Sequence, residues 1–153
     1  MQYLKVQNYP MEQQLSPNFK VGELIESRIA YNQKLYMQYV KQERIMANLE
    51  FLVVHLLQPL RDIVKEPILI SSGYRCKALN VLAGGAANSL HIQGLAADIY
   101  SPGRNLLLVK ALQNMEFHEC LIHNSYIHVS IKELNNECRC KNLTGNKYYD
   151  VMP

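Results

Sequence analysis

Two short stretches constrain this chain more than any other part of it. In residues 95–100, Leu95-Ala96-Ala97-Asp98-Ile99-Tyr100, the apolar side chains Leu95, Ala97 and Ile99 alternate with Ala96, Asp98 and Tyr100. Residues 126–131 repeat the pattern, with Ile127, Val129 and Ile131 on one parity and Tyr126, His128 and Ser130 on the other. Successive side chains of a strand point to opposite faces. The alternation therefore predicts two half-buried strands, each with one face on a core and a polar face carrying Asp98 or His128. A fold that sets these strands side by side brings a carboxylate and an imidazole to one surface.

A third group lies just upstream. His91, in Ser89-Leu90-His91-Ile92-Gln93-Gly94, precedes the first strand closely enough to reach back to it, and Gly94 gives the loop the backbone freedom to turn. Histidine, aspartate and histidine form a donor set suited to zinc. Three protein ligands leave the fourth tetrahedral position for water, as in catalytic rather than structural sites. The mixed nitrogen and oxygen set suits zinc better than calcium or magnesium, and it also accommodates cobalt, manganese or iron. Spacing alone leaves a second reading open, in which each histidine is a hydrogen-bonded polar residue of a half-buried strand.

Elsewhere the chain alternates helical and extended patterns. Residues 43–64 carry the clearest helix: Ile45, Met46, Leu49, Leu52, Val53, Leu56, Leu57, Leu60, Ile63 and Val64 recur at three-four spacing. His55 falls on the edge of this face as a structural residue, and Pro59 either kinks the helix or marks its last turns. Residues 21–27 and 32–40 are weaker helical patterns, with Tyr31, Tyr36 and Tyr39 read as packing or groove-lining residues. A short strand over 68–70 ends in the turn-prone Ser71-Ser72-Gly73, and a helix over 75–83 is followed by Gly84-Gly85. Asn105 is placed to cap a helix containing Leu106, Leu107, Val109 and Leu112. Residues 119–123 and 126–131 read as strands joined by the tight turn Asn124-Ser125. The expected fold class is α+β: a small antiparallel sheet carrying the site, with helices packed on its other face.

Composition narrows the function. With 153 residues and neither a repeat nor a linker, residues 1–153 read as one domain with a sizeable core. A net charge of +3 with scattered basic residues gives no support to nucleic-acid binding, yet suits an anionic polymer as substrate. The longest apolar run, residues 51–57, is broken by His55 and falls short of the roughly 20 residues a membrane span requires. The first residues show neither a basic nor an apolar signal region. Cys76, Cys120, Cys138 and Cys140 are too few for a disulfide scaffold. Cys138-Arg139-Cys140 is too tight for a zinc ribbon. They read as free thiols, with a bridge from one of Cys138 and Cys140 to another cysteine as the alternative.

Several separated motifs then fall in one order: Ser71-Ser72-Gly73-Tyr74-Arg75, Asn80, Gly84-Gly85-Ala86, Ser89-x-His91-x-x-Gly94-x-Ala96-x-Asp98, and Ile127-His128-Val129-Ser130. Together they resemble the zinc D-alanyl-D-alanine carboxypeptidase family, the murein peptidases of the Hedgehog/DD-peptidase fold. The opening Leu15-Ser16-Pro17-Asn18-Phe19-x-x-Gly22-Glu23-Leu24 is similar to that of short phage- and prophage-type members. The resemblance implies Zn2+ held by His91, Asp98 and His128, and a peptidoglycan stem peptide as substrate. It also implies that Arg75 lies near the scissile peptide, where its planar fork suits a carboxylate or a developing oxyanion. Tyr74 and Ser89 are expected beside the substrate, with Asn80 and Ser130 supporting the loops. A wall substrate would be reached after lysis, through another carrier, or with an export signal that this sequence lacks.

Zinc lowers the pKa of bound water to about 7 and polarises a carbonyl. Hydrolysis still needs a group that accepts the water proton and passes it on. The family generally has an acid three positions before the last histidine ligand, and here that position is Ser125. His123 is the better candidate, because related enzymes carry a histidine five positions before the ligand. Glu119 shares a strand parity with His123 and either orients it or acts as the base. Three readings follow: a zinc peptidase cutting a bond that involves D-alanine, a lysin-like endopeptidase acting on an internal stem bond, and a zinc-loaded but inactive domain that binds murein or a protein.

Overall fold

The computed structural model describes residues 11–29 and 43–132 and the backbone of 143–144. The helix expected over 32–40, its tyrosines, and the pair Cys138 and Cys140 lie outside the described residues. Strand β1, Gln14–Ser16, pairs with β2, Phe19–Lys20, and leads into helix α1, Val21–Ile25. Beyond the long helix α2, residues 43–64, come β3, Leu69–Ser72, helix α3, Lys77–Leu82, and a 3-10 turn, Leu90–Gln93. Then follow β4, Ala96–Tyr100, helix α4, Asn105–Leu112, β5, Glu119–Ile122, and β6, Ile127–Ser130. Leu143–Thr144 adds β7.

Helix α2 runs unbroken through Glu43–Leu52, Val53–Leu57 and Gln58–Val64. Its middle piece is a π turn, in which the Gln58 amide donates to the Val53 carbonyl five residues back. Pro59 explains this. It has no N–H to give, and its ring crowds the carbonyl four residues earlier, a strain that the wider π turn relieves. The apolar stripe is as the three-four spacing predicts: Leu49, Leu52, Val53, Leu56, Leu57 and Leu60 are fully buried. Each such leucine contributes about 1.5–3 kcal/mol on burial. Two positions depart from the expected stripe. Ile63 is 56% exposed, because the helix turns its last residues outward before Lys65 ends it in the left-handed conformation, φ 56°. His55 is exposed rather than at the edge, with its ring 4.5 Å from that of Phe51.

Gln58 lies on the inner side of α2, buried and fully hydrogen-bonded. Its Oε1 accepts from Ser16 Oγ at 2.6 Å and from the Asn18 amide at 3.0 Å, and its Nε2 donates to Asn18 and Asp62 at 2.9 and 2.8 Å. A buried amide is tolerated when its bonds are made, and this one ties the β1–β2 hairpin to the helix.

The main sheet has the order β3-β4-β6-β5-β7. Its first four strands pair antiparallel, as expected, while β7 adds to the edge in parallel with β5. Nothing in the local pattern of residues 143–144 announces that pairing. Ile99, Cys120, Ile127 and Val129 project from the sheet into the same core as the buried face of α2. The turn Asn124-Ser125 closes the β5–β6 hairpin, and the His123 amide donates to the Tyr126 carbonyl at 2.9 Å. Asn105 does not cap α4. It is the first residue of the helix and follows Arg104, and its side chain instead accepts from the Ser101 amide and donates to the Ser125 carbonyl, holding the hairpin turn against α4.

Candidate metal centre

Antiparallel pairing of β4 and β6 sets Asp98 directly opposite His128, so the two side chains that alternation assigns to one face meet across the strands. His128 Nδ1 lies 2.9 Å from Asp98 Oδ1. His91 arrives from the 3-10 turn, with Nε2 at 3.2 Å from both Asp98 Oδ1 and His128 Nδ1. One nitrogen from each imidazole and one carboxylate oxygen thus converge, a grouping able to hold a metal ion. Among the described residues no other such group occurs.

The turn carrying His91 is built to aim it. Ser89 Oγ accepts from the His91 amide at 3.2 Å and caps the turn, and Gly94 ends it in the left-handed region, φ 75°. From helix α2, buried Asn48 donates to the Gln93 carbonyl at 2.7 Å. On the other side the Gly73 carbonyl accepts from His91 Nδ1 at 2.7 Å, which leaves Nε2 as the lone-pair nitrogen of the neutral ring. Gly73 is itself pressed against α1: a Cβ there would stand 2.2 Å from the Leu24 carbonyl oxygen, while the next amide, Tyr74, donates to that same oxygen at 2.7 Å. The register of β3 on β4 also shifts between Ile70 and Ser72, a bulge beside Asp98.

Electrostatics favour an ionised carboxylate. Burial pushes the Asp98 carboxyl upward, but its contacts with the His128 and His91 rings prevail and hold it below the usual carboxylate range. Its second oxygen, Oδ2, accepts from Arg75 Nη2 at 3.1 Å. Glu119 Oε1 lies 3.6 Å from the outer nitrogen of His128, Nε2. Ser130, opposite Glu119 in the register, is fully buried, and its hydroxyl has no hydrogen-bond partner among the described residues.

These groups open onto a groove of about 540 Å³, lined also by Ser89, His118, His123 and Tyr126. The candidate site residues all fall among the described residues. His123 is exposed on the rim and stacks on Tyr126, ring centroids 4.3 Å apart. Glu119 meets His128 rather than His123. Tyr74 is not beside the groove: it is 5% exposed and packed in the core, while its neighbour Arg75 lines the cavity. Ser125 sits in the exposed hairpin turn. Sequence reasoning missed Asn48 and the carbonyl of Gly73, whose signals are an ordinary helical asparagine and one glycine of a turn.

Two imidazoles and a carboxylate thus meet in a groove on an α+β frame, a grouping that could hold a metal ion. The family model for Peptidase M15 matches residues 17–130, and the chain belongs to that family of metallopeptidases. No curated protein matches the chain.

Proposed function

We propose that the protein is a zinc-dependent peptidase that hydrolyses peptidoglycan stem peptides at a bond involving D-alanine. The observation that carries this reading is the convergence of His91 Nε2, Asp98 Oδ1 and His128 Nδ1 within 3.2 Å of one another on the floor of the groove. Two neutral nitrogens and one anionic oxygen are a fitting donor set for zinc; the Gly73 carbonyl holds the outer nitrogen of His91 as outer partners of metal-binding histidines do, and Glu119 lies 3.6 Å from that of His128. Zinc bound there supplies Lewis acidity and a nucleophilic water near neutral pH. Membership of the Peptidase M15 family supports the substrate class.

The chain's own residues divide the remaining work. His123, on the groove rim, takes the proton of the attacking water on a ring nitrogen and returns it to the leaving amine. Glu119 orients the His128 ring. Arg75 directs its remaining N–H groups at the substrate's carbonyl or terminal carboxylate, and Ser89 holds the wall of the groove.

Zinc stoichiometry together with digestion of purified muropeptides tests this reading. The expected result is one zinc per chain, with release of D-alanine or a short D-alanine-containing peptide. Loss of a single terminal residue identifies a carboxypeptidase, and larger fragments identify an endopeptidase. His123→Ala should lower kcat by about 10²- to 10⁴-fold while zinc content stays unchanged. Full zinc occupancy without cleavage of any murein substrate would sink the enzymatic reading and favour a zinc-loaded binder, the reading that Ser125 in place of an acid suggests.

A further inference from the structure

Asp98 faces the other two donors through one oxygen only. Oδ1 lies toward His91 and His128, while Oδ2 is held by Arg75. Arg75 is fixed in turn: Nε donates to Ser72 Oγ at 2.8 Å and Nη1 to Asn80 Oδ1 at 3.2 Å. Among the described residues three of the five N–H groups of the guanidinium are thus committed, and Arg75 also lines the groove. Asn80 is 1% exposed, and its Nδ2 donates to the Ala86 carbonyl at 2.8 Å, so its amide cannot rotate without losing both bonds. One further position closes this line of contacts. A Cβ on Gly85 would stand 2.1 Å from Asn80 Oδ1 and 2.9 Å from Arg75 Nη1. Gly85 is not among the glycines with positive φ, so its position requires the absence of a side chain rather than a special backbone.

We propose that Gly85 and Asn80 are positioning residues for the metal-binding carboxylate: the bare Gly85 lets Asn80 hold Arg75, and Arg75 holds Asp98 so that it offers Oδ1 alone. The inference rests on the metal-site reading above. Its consequence is a protein donor count that stays at three, with a coordination position kept free for the reaction. Displacing Asn80 releases Nη1, loosens Arg75 and frees Oδ2 to act as a second oxygen donor.

The test compares Gly85→Ala, Asn80→Ala and the double variant with the parent. Zn2+ and Co2+ affinity are measured by competition with a chromophoric chelator, alongside the visible absorption of the Co2+ form and Tm. Each single variant is expected to weaken ion binding by about 10–100-fold and to change the Co2+ spectrum toward higher coordination. The double variant should be close to Asn80→Ala, because the amide that the new Cβ strikes hardest is gone and only the end of the long Arg75 side chain, 2.9 Å away, still has to give. Single effects that add, or variants that lose Tm while affinity and Co2+ spectrum stay at parental values, overturn the proposal. Should Gly85→Ala fail to fold, Asn80→Ala introduces no clash and carries the affinity and spectral comparison alone. A parent protein that binds neither ion overturns the metal-site reading and this inference with it; tight parental binding that Asn80→Ala leaves untouched overturns this inference only.

Discussion

Three side chains, His91, His128 and Arg75, surround the carboxylate of Asp98, which is only 7% exposed. Removing it leaves two imidazoles and a guanidinium facing one another without a counter-charge. Asp98→Ala should therefore abolish stoichiometric zinc and turnover, whereas Ser130→Ala, two residues beyond His128, should be neutral or slightly stabilising because it deletes a buried hydroxyl that has no partner among the described residues. Metal analysis and thermal melts of the two variants check the contrast; near-parental zinc in Asp98→Ala would exclude the three-donor site. Cys120 shows burial acting on a thiol of the core. Burial, aided by the charge of Glu119, pushes its thiol up to about 12. Below about pH 9 the thiol is protonated both in the fold and in the unfolded chain. As pH rises from there toward 12 only the unfolded chain loses the proton, so stability falls by about 1.4 kcal/mol per pH unit from this group. Urea unfolding at pH 8 and pH 10, with Cys120→Ala as the reference, measures it: the parent should lose more stability than the variant.

The site is assembled from the ends of elements. The bulged end of β3, the 3-10 turn, β4 and the β5–β6 hairpin each bring one or two groups, and short hydrogen bonds between neighbours hold them. Gly73 is the tightest joint, since its carbonyl fixes the tautomer of His91 and its Cα packs on the backbone of α1. A methyl group there meets a carbonyl oxygen rather than a flexible side chain, so α1 or β3 must move. Gly73→Ala is expected to destabilise the fold by about 3 kcal/mol or more in urea unfolding, and a cost below about 1 kcal/mol would show that the joint is looser than the packing indicates. The hairpin is placed by a different device, the Asn105 amide on the Ser125 carbonyl, which fixes the turn from which His123 and Tyr126 rise to the groove rim.

At the scale of the whole molecule, the described core is one cluster shared by α1, α2, α4 and the sheet, and the candidate metal centre sits on the sheet away from it. The fold should accordingly survive chelation while losing the linkage to zinc. At free zinc about 1,000 times Kd the ion adds about 4 kcal/mol to stability. At about 2–4 °C per kcal/mol for a chain of this size, that corresponds to roughly 8–16 °C in Tm. Melts with and without chelator test it, with far-UV circular dichroism expected to be alike in both; a Tm indifferent to zinc would contradict the site. Among the described residues no helix is long and apolar enough to cross a membrane. The sequence by itself determined whatever follows from the local geometry of the backbone: the helix over 43–64, the β5–β6 hairpin, and the shared parity that sends Asp98 and His128 to one face. Periodicity is enough for these because a helix or strand fixes the direction of each side chain by its position alone. Only the tertiary structure decided which groups meet across the chain. The pairing of Asp98 with Arg75, 23 residues apart, the reach of His91 to the Gly73 carbonyl, 18 residues apart, the burial of Tyr74 behind the groove and the parallel β7 all depend on how elements pack. That packing is set by the fit of many side chains at once, and no local spacing records it.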